Sequence, residues 1–221
     1  MWDSTIDTAS TGSLTSLDLS NFDTSNVTDM RSMFAFNTSL NTINIDSFDT
    51  SNVTNMYHMF IYCTSLKNIE LNSFDTSNVT NMAAMFYNCK SLIMLNLNSF
   101  NTLKVTDMGS MFENCKKLSN LNLDNFNTSN VVSMSSMFSN CKSLISLNLS
   151  SFNTSNVTNM TAMFTMWNDD DNLSSTGSLE KLDLSNFDTS KVVSMSSMFA
   201  FNTQFVELDI GSVHTINTTN M

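Results

Sequence analysis

Apolar residues fall at Leu14, Leu17, Leu19, Phe22, Val27, Met30, Met33 and Phe34, with polar residues filling almost every gap between them. The same pattern returns 26 residues later, and again in copies opening at Leu66, Leu92, Leu118 and Leu144. A seventh copy opens at Leu179 after nine extra residues, and an eighth, partial copy runs to Met221. Within a copy the period changes. Leu17 and Leu19 alternate with Asp18, as in a strand with one buried face. Met30, Met33, Phe34 and position 37 stand at i, i+3, i+4 and i+7, which predicts a short helical turn, with Thr28 as its N-cap. Ser20 to Asn26 lies between them, rich in residues that bond their own backbone and close turns. A unit this short cannot bury its own apolar face and must stack on its neighbours.

The spacing L-x-x-L-x-L at Leu14, Leu17 and Leu19 is that of leucine-rich repeats. The expected fold is therefore an α/β leucine-rich-repeat solenoid. Each 26-residue repeat supplies one strand and one short helical turn, with a parallel sheet on one face. Residues 1–13 read as the tail of a preceding repeat, and 14–221 as the solenoid with an insertion near 167–178. Stacking turns positions into columns. Phe22 to Phe187 and Phe34 to Phe199 form two aromatic ladders, and Met30 and Met33 begin two methionine columns, all read as core. Thr24, Thr50, Thr76, Thr102, Thr128, Thr154 and Thr189 form a column expected to bond neighbouring turn backbone.

A second period overlies the first. Ser-Thr-Gly-Ser-Leu runs from Ser10 to Leu14 and again from Ser175 to Leu179, and Ala-Phe-Asn-Thr recurs at Ala35 to Thr38 and Ala200 to Thr203, a super-repeat of 165 residues. Both ends therefore read as cuts within a longer array. No basic region followed by an apolar one opens the chain, and no apolar run is long enough to span a bilayer.

The stretch Leu17 to Phe34, LDLSNFDTSNVTDMRSMF, resembles the repeat of bacterial leucine-rich-repeat surface proteins of the BspA-like kind. It is most similar to the version abundant in mycoplasma-type lipoproteins. The resemblance covers Leu14 to Met221. It implies a non-enzymatic cell-surface or secreted protein used in adhesion or host interaction, and it supplies no catalytic residues.

Charge and chemistry narrow the reading further. The chain carries 20 acidic and nine basic residues, a net charge of -11, which disfavours nucleic acid and anionic membranes as partners. Cys63, Cys89, Cys115 and Cys141 share one column, with Asn37 and Asn202 in outer copies; adjacent rungs would allow disulfides, but buried free thiols are the expected state. Four ligands strung along a ladder cannot converge on a zinc ion. Asp23, Asp49, Asp75 and Asp188, with Asn101, Asn127 and Asn153 between, are read as turn formers, calcium bridging being the alternative. His58 and His214 are read as surface residues. No cofactor and no metal is implied.

The outward strand column is the candidate binding surface: Asp18, Asn44, Glu70, Asn96, Asn122, Asn148, Asp183 and Asp209, on the face solenoids use for partners. Its neighbouring column starts at Ser16 and includes Met94, Lys181 and Glu207. The pairs Arg31-Ser32, Tyr57-His58, Ala83-Ala84, Gly109-Ser110 and Ser135-Ser136 vary freely and are expected to face solvent. Tyr57, Tyr62 and Tyr87 form a second candidate contact patch. The primary expectation is a surface binding module for a protein or glycan. A structural spacer associating end to end is the alternative, and ice or mineral binding by the regular Thr and Asn columns is a third reading.

Overall fold

The computed structural model describes residues 12–166, 177–211 and 213–221. The expected tail at 1–13 lies almost wholly outside these residues, as does most of the insertion, with Trp167 and Asp169 to Asp171. Successive copies stack as parallel rungs. Six short strands are formed: β1 (Ser16–Asp18), β2 (Thr42–Asn44), β3 (Met94–Leu95), β4 (Asn120–Leu121), β5 (Lys181–Asp183) and β6 (Glu207–Asp209). They pair as β1-β2, β3-β4 and β5-β6, each in register with the residue one copy on, as Leu17 with Ile43 and Leu182 with Leu208. A single bridge from Ser146 to Lys181 carries the pairing across the insertion. The expected parallel sheet is thus present in pieces.

The unbroken ladder runs elsewhere. Asp29, Asn55, Asn81, Asp107, Ser133, Asn159, Ser194 and Asn220 are bridged in one parallel series through all eight copies. The β-branched pair before each of them, such as Val79-Thr80, supplies an extended backbone. Thr80 N–H donates to the Thr54 carbonyl and Thr106 N–H to that of Thr80, at 2.8 and 2.9 Å.

The expected helical turn is not formed. Met30, Ser32, Phe34 and Phe36 send their N–H groups to the next rung, to the carbonyls of Asn55, Tyr57, Met59 and Ile61. Only single tight-turn bonds close within the segment, as Met33 to Met30 and Ala35 to Ser32. Ser32 and Phe36 adopt positive φ, 57° and 62°, and the same two positions repeat this in later rungs, at Ser110 (55°) and Asn114 (61°). Left-handed residues four apart cannot belong to a right-handed helix. Apolar spacing of i, i+3, i+4 is met equally by tight turns whose carbonyls are spent on the neighbouring rung. Thr28 consequently caps no helix; its carbonyl accepts from Thr54 N–H.

The core is a set of ladders. From Phe34 through Phe60, Phe86, Phe112, Phe138 and Phe164 to Phe199, rings stack with centroids 5.3 to 6.0 Å apart. Phe48 to Phe187 of the other aromatic column are buried, while Phe22 in the first rung is 54% exposed because no described rung covers it. The threonine column bonds as expected and more tightly than expected. Thr102 Oγ1 accepts from Asn127 N–H at 2.8 Å and donates to the Asn127 carbonyl at 2.9 Å, so one hydroxyl serves both backbone groups of the next rung. Thr24, Thr76, Thr128 and Thr189 do the same.

The four cysteines are free and buried. Each Sγ–H donates to a phenylalanine carbonyl of the preceding rung, as Cys115 to Phe86 at 3.2 Å. Asn202 places an amide N–H on the equivalent Phe164 carbonyl at 2.6 Å, which explains the Asn-for-Cys exchange in that column. Burial pushes the Cys63 thiol up to about 12 and raises the other three as well.

Candidate functional site

Each outward residue of the strand column stands where the chain leaves the strand, and its side chain is drawn into that turn. Asp18 Oδ1 accepts from Ser20 N–H at 3.0 Å, Asn122 Oδ1 from Asp124 N–H at 2.9 Å, and Asp183 Oδ1 from Ser185 N–H at 2.8 Å. Asn44, Asn96, Asn148 and Asp209 close the same two-residue turn. Aspartate and asparagine recur in this column because their side chains mimic a turn's backbone acceptor. Glu70, one carbon longer, instead accepts from the Asn72 amide at 3.0 Å. The Ser20 N–H and then its hydroxyl hold the Asp18 carboxyl below the usual range; at Asp183 the Ser185 hydroxyl leads and its N–H follows. Seven of the eight residues are exposed and Asn44 is half-buried. The column is therefore a solvent-facing row of fixed acceptors.

At its C-terminal end this row sinks into a depression of about 340 Å³. Leu147 and Leu182 contribute apolar surface, and Ser146, Asn148, Lys181, Asp183, Glu207 and Asp209 supply the polar lining. Lys181 Nζ and Glu207 Oε2 pair at 3.0 Å across adjacent rungs, and Asp183 stands in register with Asp209. Three residues of the predicted column thus meet three of its neighbour in one concavity. The others, Asp18 to Asn122, continue the row outside it.

The tyrosine patch divides. Tyr62 stacks on Phe36 at 5.1 Å and meets Tyr87 at 5.5 Å, whereas Tyr57 stacks on His58 at 3.5 Å. All three tyrosines are half-buried. His58 is not a surface residue: it is 8% exposed, and burial pushes its imidazole down to about 4. Ala83, Ala84 and Gly109 are buried too, because this segment runs between rungs as part of the stack and not as the outer side of a helix. His214 is exposed as expected.

The carboxylate column at Asp23, Asp49, Asp75 and Asp188 is occupied with a second set of turns, each Oδ1 accepting from the N–H of Ser25, Ser51, Ser77 or Ser190. Among the described residues, no group of three or more His, Cys, Asp or Glu side chains is arranged to hold a metal ion.

The chain matches the family described as "Mycoplasma protein of unknown function, DUF285" over residues 6–94, 92–175 and 171–221. It belongs to that family. This DUF285 chain is similar in structure to a leucine-rich repeat protein from Eubacterium ventriosum, at 17% identity and a TM-score of 0.42, over 75% of this chain and 47% of that one. It is also similar to a leucine rich cell surface protein from Faecalibacterium prausnitzii, at 16% identity and a TM-score of 0.31, over 89% of this chain and 73% of that one. An internalin from Listeria monocytogenes is 15% identical with a TM-score of 0.23, over 79% of this chain and 81% of that one. No curated protein matches the DUF285 chain. Within the described residues no helix is long and apolar enough to cross a membrane.

Proposed function

We propose that this DUF285 chain is a non-enzymatic module of a cell-surface protein that presents its strand face to a protein or glycan in adhesion. The observation that carries the reading is the exposed row of turn-fixed acceptors on the strand face, which at its C-terminal end borders a shallow depression at Ser146, Asn148, Lys181, Asp183, Glu207 and Asp209. It lies on the face where repeat solenoids commonly bind partners. The depression brings two apolar side chains together with fixed acceptors and one ion pair, the mixture that orients a ligand without reacting with it. The repeat's resemblance to BspA-like surface proteins supports the same location and role.

Binding of the labelled chain to host cells and to arrayed proteins and glycans tests this. Ser146→Trp should fill the depression, lower binding at least tenfold and leave the melting temperature unchanged. Equal binding by this variant and the unaltered chain would refute the assignment.

A further inference from the structure

The two positions after the opening leucine of a rung are polar in most copies, as Thr15-Ser16, Asn41-Thr42, Lys67-Asn68 and Ser119-Asn120 show, and all of these residues are exposed. The fold therefore requires no apolar group there. Rungs four and six carry them all the same. Ile93 and Met94 are 44 and 59% exposed, and Ile145, two rungs on, is 58% exposed. Neighbouring large aliphatic side chains, held in water on a face that accepts serine and asparagine, mark a contact surface. Ile145 adjoins Ser146 at the depression, so the two surfaces are continuous.

Charge divides the same face. From Ile93 to Asn148 the outward strand positions carry none, whereas rungs seven and eight place Glu180, Asp183, Glu207 and Asp209 there against the single Lys181. Lys181 is held by Glu207 at 3.0 Å, and Asp183 stands in register with Asp209, so carboxylates remain in excess. Hydrogen bonds from the Ser185 hydroxyl and then its N–H hold the Asp183 carboxyl below the usual range and keep it ionised at neutral pH. The register relates the two parts. Met94 pairs with Asn120, Ser146 bridges to Lys181 and Lys181 pairs with Glu207, all in one column. Three strand spacings separate Met94 from Lys181, roughly 14 Å, which is about four residues of an extended chain.

Aliphatic groups offer no aromatic face on which a sugar ring could stack. Excess carboxylates repel polyanions and attract ammonium and guanidinium groups. We infer that the strand face from Ile93 to Asp209 binds an extended protein segment bearing aliphatic side chains and, about four residues away, lysine or arginine. The inference rests on the surface-binding reading and narrows its partner from protein or glycan to one kind of protein segment. Ile93, Met94 and Ile145 supply the apolar area that the complex buries, and the carboxylates set its direction and speed the encounter.

The test applies the labelled chain to a peptide array in which Leu-Leu and Lys-Lys, in either order, are separated by serine spacers of increasing length. A second series replaces Lys-Lys with Glu-Glu. Two double variants are compared, Met94→Asn with Ile145→Ser, and Asp183→Asn with Asp209→Asn. Each repeats a residue already present in its own column, and an unchanged melting temperature verifies the fold. Asp23→Asn with Asp188→Asn makes the same change in net charge off this face. The inference is supported by binding that peaks at a spacer of about four, is absent from the Glu series, falls at least tenfold in both double variants and is kept by the charge control. A blank array, a signal indifferent to spacing, equal binding by either double variant, or equal weakening in the charge control overturns it. A blank array beside glycan binding that Ser146→Trp abolishes overturns it too, and leaves the strand-face reading standing.

Discussion

At the scale of single residues, the stack depends on side chains that serve backbone groups of the next rung. Thr102 is the plainest case, since its hydroxyl both donates to and accepts from Asn127. Thr102→Val keeps the shape, removes the partner of a part-buried N–H and carbonyl, and should cost about 1–3 kcal/mol in urea unfolding. His58 gives a pH signature. Burial lowers its folded pKa to about 4, below the ordinary imidazole value of 6.5, so the native state disfavours the charged ring. The stability this confers is complete above pH 6.5 and is lost as pH falls toward 4. His58→Ala places there the residue that Ala84 and Ala162 supply in other rungs. It should flatten that part of the stability–pH curve relative to the unaltered chain, by about 1–3 kcal/mol. An identical slope in both chains would mean the imidazole is solvated. The burial of His58 was hidden in the sequence because its column otherwise holds only serine and alanine, which carry little hydrophobic signal.

The element that departs from its sequence pattern is the methionine–phenylalanine segment. Met30 and Phe34 are buried as their spacing requires, and Met59 to Met163 of the second methionine column are too, Met33 in the first rung being 41% exposed; but the backbone reaches that arrangement through left-handed turns and inter-rung bonds. Hydrophobic periodicity reports which side chains face the core and is blind to where the N–H groups go. Ser110 discriminates the two structures by sign. In a helix Ser110→Gly would cost stability, several tenths of a kcal/mol. At a φ of 55° the glycine relieves strain and should be neutral or stabilising by up to about 1 kcal/mol. Thermal unfolding reads the difference, and a clear loss would restore the helix. The thiol column belongs to the same element. Burial raises all four pKa values, so native Cys63, Cys89, Cys115 and Cys141 should resist a disulfide reagent at neutral pH and react at once in denaturant.

For the whole molecule, the 26-residue period fixed the register correctly. Leu17 pairs with Ile43 and the Phe34 column stacks ring on ring, as identical columns in successive copies require. The binding face was legible only in part. Alternation at Leu17, Asp18 and Leu19 identified the exposed acceptors, but not their use in turns. The depression was invisible because it is lined from three successive rungs, by residues whose types match those at the same positions elsewhere in the chain. The tyrosines were grouped by nearness in sequence, whereas stacking sorts them by column. All of these conclusions depend on identical positions rising by one strand spacing per copy. Paired nitroxide labels on exposed or half-buried threonines measure that rise. Thr54 and Thr158, four rungs apart, should be separated by roughly 19 Å, and Thr28 and Thr219, seven rungs apart, by roughly 34 Å. Distances growing linearly with rung number would support the solenoid, and equal or shuffled distances for the two pairs would contradict it.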